Sequence, residues 1–331
     1  METNIAEEKE KAASKDWGKI LRKILRTREL LLTLLIILMV IFLSFVSPAF
    51  LSYRNMMALA SNEAPKGFVL ISVLFLLITR DFDLSVGSGM ALVGVVLATL
   101  IDMTGSLLLG LLGGLAAGLA IGVINGFLVT RLKMASFIAT LGTLYMARSL
   151  CNVITQGKAV PVQNQFIVTL FNSYMVGLPS VFVGMILFAV IMGILLNKER
   201  HFVRLFFIGV NERGAMMVGM NTNRMRWALF IFSGLMMAVS GIIYTGMNRA
   251  MEPLAFRGIE LKLIAMCVIG GASLKGGKGS VAGAILGLLL ITLIGNSMTL
   301  IGISPQWEGA ILGSILLGAS ILDVYTQKKV E

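Results

Sequence analysis

The chain has 331 residues, of which 57% are apolar and only 14% are charged. This composition excludes an ordinary soluble domain, which exposes a much larger charged surface to water. The formal net charge of +11 does not indicate nucleic-acid binding. The basic residues are gathered in alternate gaps between long apolar runs, as in the cytoplasmic loops of membrane proteins. We therefore predict an integral membrane protein that does not bind nucleic acid.

The chain begins with a polar segment, residues 1–29, that is rich in lysine and arginine. The apolar run that follows is too long for the core of a cleaved signal peptide, and it lacks a convincing small-residue cleavage site. We predict that this run stays as the first membrane helix and that nine further runs are membrane segments. The ten predicted segments are 30–47, 64–79, 84–101, 107–129, 135–153, 177–196, 227–247, 260–274, 279–301 and 306–324.

One assumption assigns a side of the membrane to every gap between these segments. If the amino terminus is cytoplasmic and each segment crosses once, the basic gaps at 131–133, 198–226 and 275–278 all fall on the cytoplasmic side. The tail, 325–331, falls there too. The predicted fold class is therefore all-α: a polytopic membrane protein of about ten transmembrane segments, with both termini in the cytoplasm and residues 30–324 as the transmembrane domain.

Two regions have features of broken or half-spanning helices. The first, residues 80–90, leaves almost no loop between two apolar runs, and the second, 260–274, is short and carries Glu260 and Lys262 at its start. The pattern L-x-x-G-x-G begins at Leu84 in the first region and at Leu274 in the second. This echo is either the trace of an internal repeat, as in many transporters, or a coincidence in a glycine-rich chain.

Glycines recur every four residues in segment 107–129, at positions 110, 114, 118, 122 and 126. They share one face of the helix, and a face without side chains allows another helix to approach closely. Glycines 279, 283 and 287 repeat the pattern, and Gly309 and Gly313 begin it again. We predict tight helix packing at these positions rather than ligand binding, and a compact helical body rather than a wide pore.

Asp81 and Asp83 are the most informative polar residues of the first half. A carboxylate in the middle of a bilayer costs on the order of 3 kcal/mol, so each needs a partner, and Arg80 is the candidate. Asp83 precedes a predicted helix start, where a carboxylate caps exposed N–H groups; the alternative is contact with a polar solute. Other polar residues in apolar runs either line a path or bond to neighbouring helices. The candidate path consists of Asp83, Ser85, Asn125, Thr140 and Asn296.

No set of residues predicts catalysis. Residues 270–280, GGASLKGGKGS, are similar to a phosphate-binding loop, but Ala272 stands where the Walker pattern requires glycine, and Gly279 follows Lys278 in place of Ser or Thr. We predict a flexible basic turn that opens the next helix, and no ATPase site, cofactor or metal on this chain. The single histidine is isolated, and both cysteines are predicted to fill core space.

The gap at about 198–226 is a long loop with six basic residues, and we predict that it is the docking surface for a cytoplasmic partner. Within it residues 211–220, NERGAMMVGM, combine three methionines and a valine with flanking charge. A short helix with methionines on one side fits an apolar groove of a partner. The alternative is a helix that lies on the membrane surface.

Four motifs carry a resemblance to a known family. They are DFDLSVGS at 81–88, SFIATLGT at 136–143, GKAVPV at 157–162 and GGASLKGGKGS at 270–280. With these motifs the chain, from Ser47 to Asp323, resembles the permease subunits of bacterial ABC importers for monosaccharides, the ribose, arabinose and methyl-galactoside group. The motifs of the second half are most similar to those of the arabinose-type members.

The resemblance implies a multi-pass protein of the bacterial inner membrane that moves a pentose or hexose without hydrolysing ATP itself. It implies a second permease copy or a sister permease, two cytoplasmic ATP-binding subunits that hold Mg-ATP, and a periplasmic sugar-binding protein. Residues 211–220 correspond to the family's coupling segment, with Arg213 and Gly214 in place of two alanines, which leaves its helicity open. The residues assigned to coupling are Asn211, Glu212, Arg213, Gly214, Ala215 and Gly219; those assigned to docking of the binding protein are Arg249, Glu252 and Arg257.

Two alternatives to a monosaccharide importer stay open from sequence. One is an importer permease for another small solute, such as a furanosyl signalling molecule, a nucleoside or a branched amino acid. The other is a stand-alone secondary transporter or channel, although the apolar runs hold few carboxylates for an ion relay beyond Asp81 and Asp83. A neutral, hydroxyl-rich sugar needs few formal charges along its path. The composition agrees with that requirement but does not select a sugar.

Overall fold

The computed structural model describes residues 28–304, 306–314 and 317–318, and this part of the chain is mainly helical. The helices are α1 (Arg28–Val46), α2 (Tyr53–Ile78), α3 (Val86–Thr104), α4 (Leu107–Thr130), α5 (Ser136–Thr155), α6 (Gln165–Phe171), α7 (Ser180–Lys198), α8 (Arg200–Val210), α9 (Glu212–Met217), α10 (Thr222–Asn248), α11 (Ile259–Ile269) and α12 (Val281–Ile301). Residues 307–314 are also helical. The strands are β1 (Val160–Pro161), β2 (Tyr174–Met175), β3 (Leu178–Pro179) and β4 (Ala250–Met251), and β1 pairs with β4 and β2 with β3, both antiparallel.

Eight of the described helices are long and apolar enough to cross a membrane: α1–α5, α7, α10 and α12. They coincide with eight of the ten predicted segments and confirm the polytopic all-α fold. Helix α2 begins well before predicted position 64, at Tyr53, because the Ser52 side chain caps it by accepting the N–H of Asn55. The predicted segment 306–324 is only partly described, and residues 1–27 and the tail, 325–331, lie outside the described residues.

Predicted segment 260–274 is a half-spanning helix. Helix α11 has 11 residues and is therefore about 16 Å long, roughly half the thickness of the hydrocarbon layer. The chain continues from it through a turn at 270–280, in which Gly276 and Gly277 adopt positive φ angles of 78° and 73°. The turn opens α12, as predicted, since the Ser280 hydroxyl accepts the N–H of Gly283 at 3.0 Å. Residues 81–85 are likewise non-helical and separate α2 from α3.

Contacts between loops define the two ends of the helix bundle. At one end Arg80 Nη2 donates a hydrogen bond to the Val210 carbonyl, and the Gly277 N–H donates to the Ile78 carbonyl, both at 2.8 Å. We call this end, which holds α8 and α9, the loop side. The turn at 270–280 therefore meets the end of α2 there, whereas Gly87 of the first L-x-x-G-x-G pattern packs against Phe256 and Ile259 instead. At the other end, which we call the hairpin side, β1 after α5 pairs with β4 after α10, and the hairpin β2–β3 precedes α7.

Helix α10 is the centre of the bundle and packs against α2, α3 and α4. The spans of α2, α3 and α10 are largely buried within the protein, whereas α1, α4, α5 and α7 turn most of their surface outward. Their outward side chains are large and apolar, Phe45 and Val153 among them. A layer of this composition suits contact with lipid rather than with water.

The glycine stripe of α4 lets two helices pack with their backbones in contact. A Cβ placed on Gly118 would lie 2.6 Å from the Gly234 carbonyl oxygen, and one on Gly122 would lie 2.4 Å from that of Phe230. On α12 a Cβ at Gly287 would lie 2.0 Å from the Met266 carbonyl oxygen of α11. The predicted close packing is confirmed on both helices. At Gly309 and Gly313 it is not found, because a Cβ there would meet no atom of the described residues within 4 Å.

We expect Gly122→Val to destabilise the protein, because the added side chain would overlap the backbone of α10. Overpacking of a tight contact costs about 1–3 kcal/mol, so the apparent melting temperature in detergent should fall by several degrees. Gly142→Val is the matched control, since a Cβ on Gly142 of α5 would meet nothing within 4 Å. Equal shifts for the two variants would contradict the role of the stripe in packing.

Candidate functional site

A buried carboxylate, Asp83, is the centre of a hydrogen-bond network between four helices. Its Oδ1 accepts the Ser85 N–H at 3.0 Å and the Ser85 hydroxyl at 2.5 Å, and its Oδ2 accepts the Ser233 hydroxyl of α10 at 2.8 Å. Asn125 of α4 donates to Ser85 Oγ at 2.8 Å and accepts the Thr143 hydroxyl of α5 at 2.7 Å. The network therefore satisfies the carboxylate entirely with protein groups.

Four of the five predicted path residues meet in this region. Thr140 joins it by accepting the Leu84 N–H at 3.1 Å, and Asp83, Ser85, Asn125 and Thr140 are each at most 1% exposed. Asp83 accepts the N–H of Ser85, the residue directly ahead of α3, but its other two contacts are to hydroxyls and it caps no N–H within α3, so the capping alternative describes only part of what is observed. A role of these residues in the solute path stays a prediction.

Asp81 has a partner that the sequence did not indicate. Arg226 of α10, 145 positions away, binds it with two hydrogen bonds, Nε to Oδ2 at 2.7 Å and Nη2 to Oδ1 at 2.6 Å. Arg226 Nη1 also lies 3.2 Å from Glu212 Oε1 at the start of α9. The prediction of Arg80 as partner was wrong: its backbone has a positive φ of 67°, and its side chain bonds to Val210 instead.

The predicted coupling segment forms a short helix at the loop side. The Asn211 side chain caps α9 by accepting the N–H of Gly214 at 2.9 Å, which answers the question of helicity left open by Arg213 and Gly214. Ala215 is buried, whereas Met217 is 87% and Val218 72% exposed. The helix thus presents an apolar surface outward, as the run of methionines predicts.

A polar cavity of about 640 Å³ lies at the hairpin side between α2, α10, α11 and α12. Four of the five charged side chains among its described lining residues form two ion pairs: Lys66 pairs with Glu63, and Lys262 Nζ lies 2.7 Å from Glu308 Oε2. Arg257 also lines it. The sequence did not single out this group, although the three-residue spacing of Glu63 and Lys66 on one helix was an available signal.

Asn296, the fifth predicted path residue, lines this cavity and not the Asp83 network. Its side chain exchanges two hydrogen bonds with Asn55 of α2, at 2.9 and 3.1 Å. The neighbouring Thr292 hydroxyl also belongs to the cavity wall and, within the described part of the chain, is buried without a hydrogen-bond partner. Asn62 and Asn248 also line the cavity, so several amide side chains surround it.

The residues predicted to dock a binding protein follow α10 on the hairpin side. Arg249, Glu252 and Arg257 are all exposed. Arg249 ends α10 in a left-handed conformation with φ of 56°. Their position is compatible with the predicted role but does not test it.

The described architecture is that of a helical membrane transport protein. Residues 55–320 match the family described as "Branched-chain amino acid transport system / permease component", and the chain belongs to this family. It is a multi-pass protein of the inner membrane and a permease component rather than a soluble enzyme.

Curated relatives cover most of the chain. The chain is 38% identical over 281 residues to the L-arabinose transport system permease protein AraH of Escherichia coli (strain K12), and the alignment covers 85% of this chain and 86% of the relative. It is 35% identical over 288 residues to the ribose import permease protein RbsC of Bacillus subtilis (strain 168), covering 86% and 89%. It is 31% identical over 304 residues to the autoinducer 2 import system permease protein LsrC of Salmonella typhi, covering 92% and 88%.

We expect Arg226→Met to be strongly destabilising, because it leaves Asp81 buried at 0% exposure without its counter-ion. Removing one partner of a buried pair costs about 3–5 kcal/mol, to be measured as the free energy of unfolding in detergent. The double variant Asp81→Leu/Arg226→Met should be less destabilised than the single one. Arg131→Met, at an exposed position of the loop side, is the control and should change little. Additive effects of the two substitutions would contradict the pairing.

Proposed function

We propose that the chain is the membrane-spanning subunit of an ABC importer for a monosaccharide, a pentose or a hexose. The observation that carries the proposal is the cavity at the hairpin side, which groups amide, hydroxyl and mostly paired charged side chains in an otherwise apolar bundle. A hydroxyl-rich neutral solute can exchange its water for such groups. The arabinose and ribose permeases among the relatives support the same class of solute.

The second candidate solute is a furanosyl signalling molecule, because one relative is named for import of autoinducer 2. A branched amino acid, which the family description names, fits the cavity less well. An amino acid zwitterion requires both a free cation and a free anion in the wall; Arg257 supplies a cation, but both glutamates among the described lining residues are already paired with lysines. The amide side chains of Asn62, Asn248 and Asn296 in the wall suit neutral hydroxyl groups.

The proposal places the loop side in the cytoplasm and the hairpin side in the periplasm. ATP binding and hydrolysis, with Mg-ATP, take place on two separate subunits that dock on α8 and α9, and no cofactor or metal is held by this chain. The transporter contains a second copy of the chain or a sister permease. A periplasmic binding protein delivers the sugar and contacts Arg249, Glu252 and Arg257, whose exposed charges steer docking more than they add affinity.

The ion pairs at the loop side give a physical route for coupling. A movement of α9 displaces Glu212 and hence Arg226, which holds Asp81 by two hydrogen bonds. Asp83, two residues further on, is fixed to α4 and α10 through its network. Movement of the docked ATPase would therefore reach the segment between α2 and α3 and rearrange the candidate path there. Gly219, which has a positive φ of 81°, ends the coupling segment in a conformation that other residues rarely adopt.

Uptake in proteoliposomes tests the function. We expect a radiolabelled pentose or hexose to accumulate only when this chain, the ATPase subunits, ATP and the binding protein are all present. Autoinducer 2 and leucine in the same panel distinguish the other solutes, and transport of either in place of a sugar would contradict the monosaccharide assignment. Accumulation by this chain alone, driven by a proton or sodium gradient, would show a secondary transporter instead.

Met217→Asp tests the docking surface. A charge in the centre of an apolar contact should weaken ATPase association roughly tenfold or more, measured as the Kd between the detergent-purified chain and its ATPase subunit. Val176→Asp is the matched control, because Val176 is also apolar and 95% exposed but lies at the hairpin side. The same loss in both variants, or in neither, would contradict docking at α9.

A further inference from the structure

A second large cavity, of about 670 Å³, lies at the loop side between α8 and α10 and is separate from the cavity proposed for sugar. We call it the α8–α10 groove. Its floor is apolar and includes Phe202, Leu205 and Phe232. Its rim carries Arg204 of α8 and Arg224 of α10, and none of the described residues that line it is acidic. The groove therefore combines an apolar floor with a positively charged mouth.

The two arginines of the rim are available to a ligand. Both are exposed, and within the described part of the chain neither guanidinium forms a hydrogen bond or an ion pair. Arg226, one helical half-turn from Arg224, is by contrast fully engaged with Asp81 and Glu212. Two free cations at the mouth of one groove favour an anionic ligand.

The depth of the floor indicates that the ligand is a lipid. Phe232 lies ten residues after Thr222, where α10 begins, so it is about 15 Å further along the helix axis and within the apolar part of α10, which follows Arg226. Its ring stacks on Phe75 at 5.8 Å, and Phe75 in turn contacts Phe202 at 5.5 Å. An acyl chain reaches this depth, whereas a protein that docks from water reaches only the rim.

Helix α8 has the character of an interfacial helix. Leu205 and Ile208 are buried against the bundle, while Arg200 and Arg204 are exposed. Basic amphipathic helices of this kind lie at the lipid headgroups, and basic pockets between membrane helices bind anionic headgroups. The amino-terminal segment of the chain is itself rich in lysine and arginine, so the basic rim would repel it as an alternative occupant.

We propose that the α8–α10 groove binds one anionic phospholipid of the leaflet on the loop side. Its phosphate lies between Arg204 and Arg224, and one acyl chain lies along the floor against Phe202, Leu205 and Phe232. The bound lipid fills the space between α8 and α10 and so supports the segment that leads into α9.

The full-length chain, purified in a neutral detergent, is titrated with phosphatidylglycerol or with phosphatidylcholine while its melting temperature is recorded. We expect phosphatidylglycerol to stabilise the protein far more than phosphatidylcholine or inorganic phosphate. In the double variant Arg204→Gln/Arg224→Gln the half-saturating concentration of phosphatidylglycerol should rise about 30-fold, because the loss of each arginine removes about 1 kcal/mol of binding free energy. The control, Arg131→Gln/Lys198→Gln, removes the same charge from exposed loop-side positions outside both the groove and α8 and should keep the effect.

A second variant tests the apolar floor without changing the charge. Ala228 is exposed and lines the groove, so Ala228→Trp should fill the groove and abolish bound phosphatidylglycerol in native mass spectra. The melting temperature of the lipid-free protein should stay unchanged.

Three outcomes would overturn the proposal: equal stabilisation by both lipids, replacement of the lipid by inorganic phosphate, or an equal loss of lipid binding in the control. It would also be overturned if Arg204→Gln/Arg224→Gln kept lipid selectivity and instead lost the ATPase subunit.

Discussion

The absence of water from the lipid layer is the constraint on which the polar structure depends. A charged or polar group inside a membrane protein must find its partner within the protein, since none is supplied by lipid. The buried carboxylates meet this requirement in different ways: Asp81 through a two-pronged pair with Arg226, and Asp83 through hydroxyl and backbone donors. Both solutions bring distant parts of the chain together. Satisfying these groups therefore also determines which helices are neighbours.

Close backbone packing supplies the second part of the architecture. Since apolar side chains gain little free energy from leaving lipid, membrane helices associate through close van der Waals packing, and glycines permit the closest approach of two helices. The α4 stripe brings α10 into contact at Gly234 and Phe230, and Gly283 and Gly287 bring the half-helix α11 against α12. The charged network is thus held between helices whose separation is set by glycine. A shift of α10 would have to disturb both.

The sequence predicted features that depend on local pattern and missed those that depend on distant contacts. Apolar runs and four-residue glycine spacing are local, so eight membrane helices and two packing stripes were identified correctly. The Asp81–Arg226 pair spans 145 positions, and nothing near Asp81 distinguishes Arg226 from other basic residues. Arg80 was chosen because it is adjacent, but its backbone conformation directs it to Val210. The polar cavity was missed for the same reason, because it combines residues from α2, α10, α11 and α12 that are far apart in sequence.

In the proposed importer, the position of Arg226 would let one residue both stabilise the fold and transmit movement of α9 into the bundle. Its guanidinium lies between a fully buried carboxylate and Glu212, whose side chain is 40% exposed. The contact with Asp81 is shielded from solvent and strong, whereas the one with Glu212 is longer, partly solvated and weaker. A docked partner can therefore shift α9 and alter the outer contact without breaking the inner one. Arg226 would then move Asp81 as a unit with α10. The displacement would enter the bundle at the non-helical segment 81–85, whose N–H groups are held mainly by side chains and not by the hydrogen bonds of a helix.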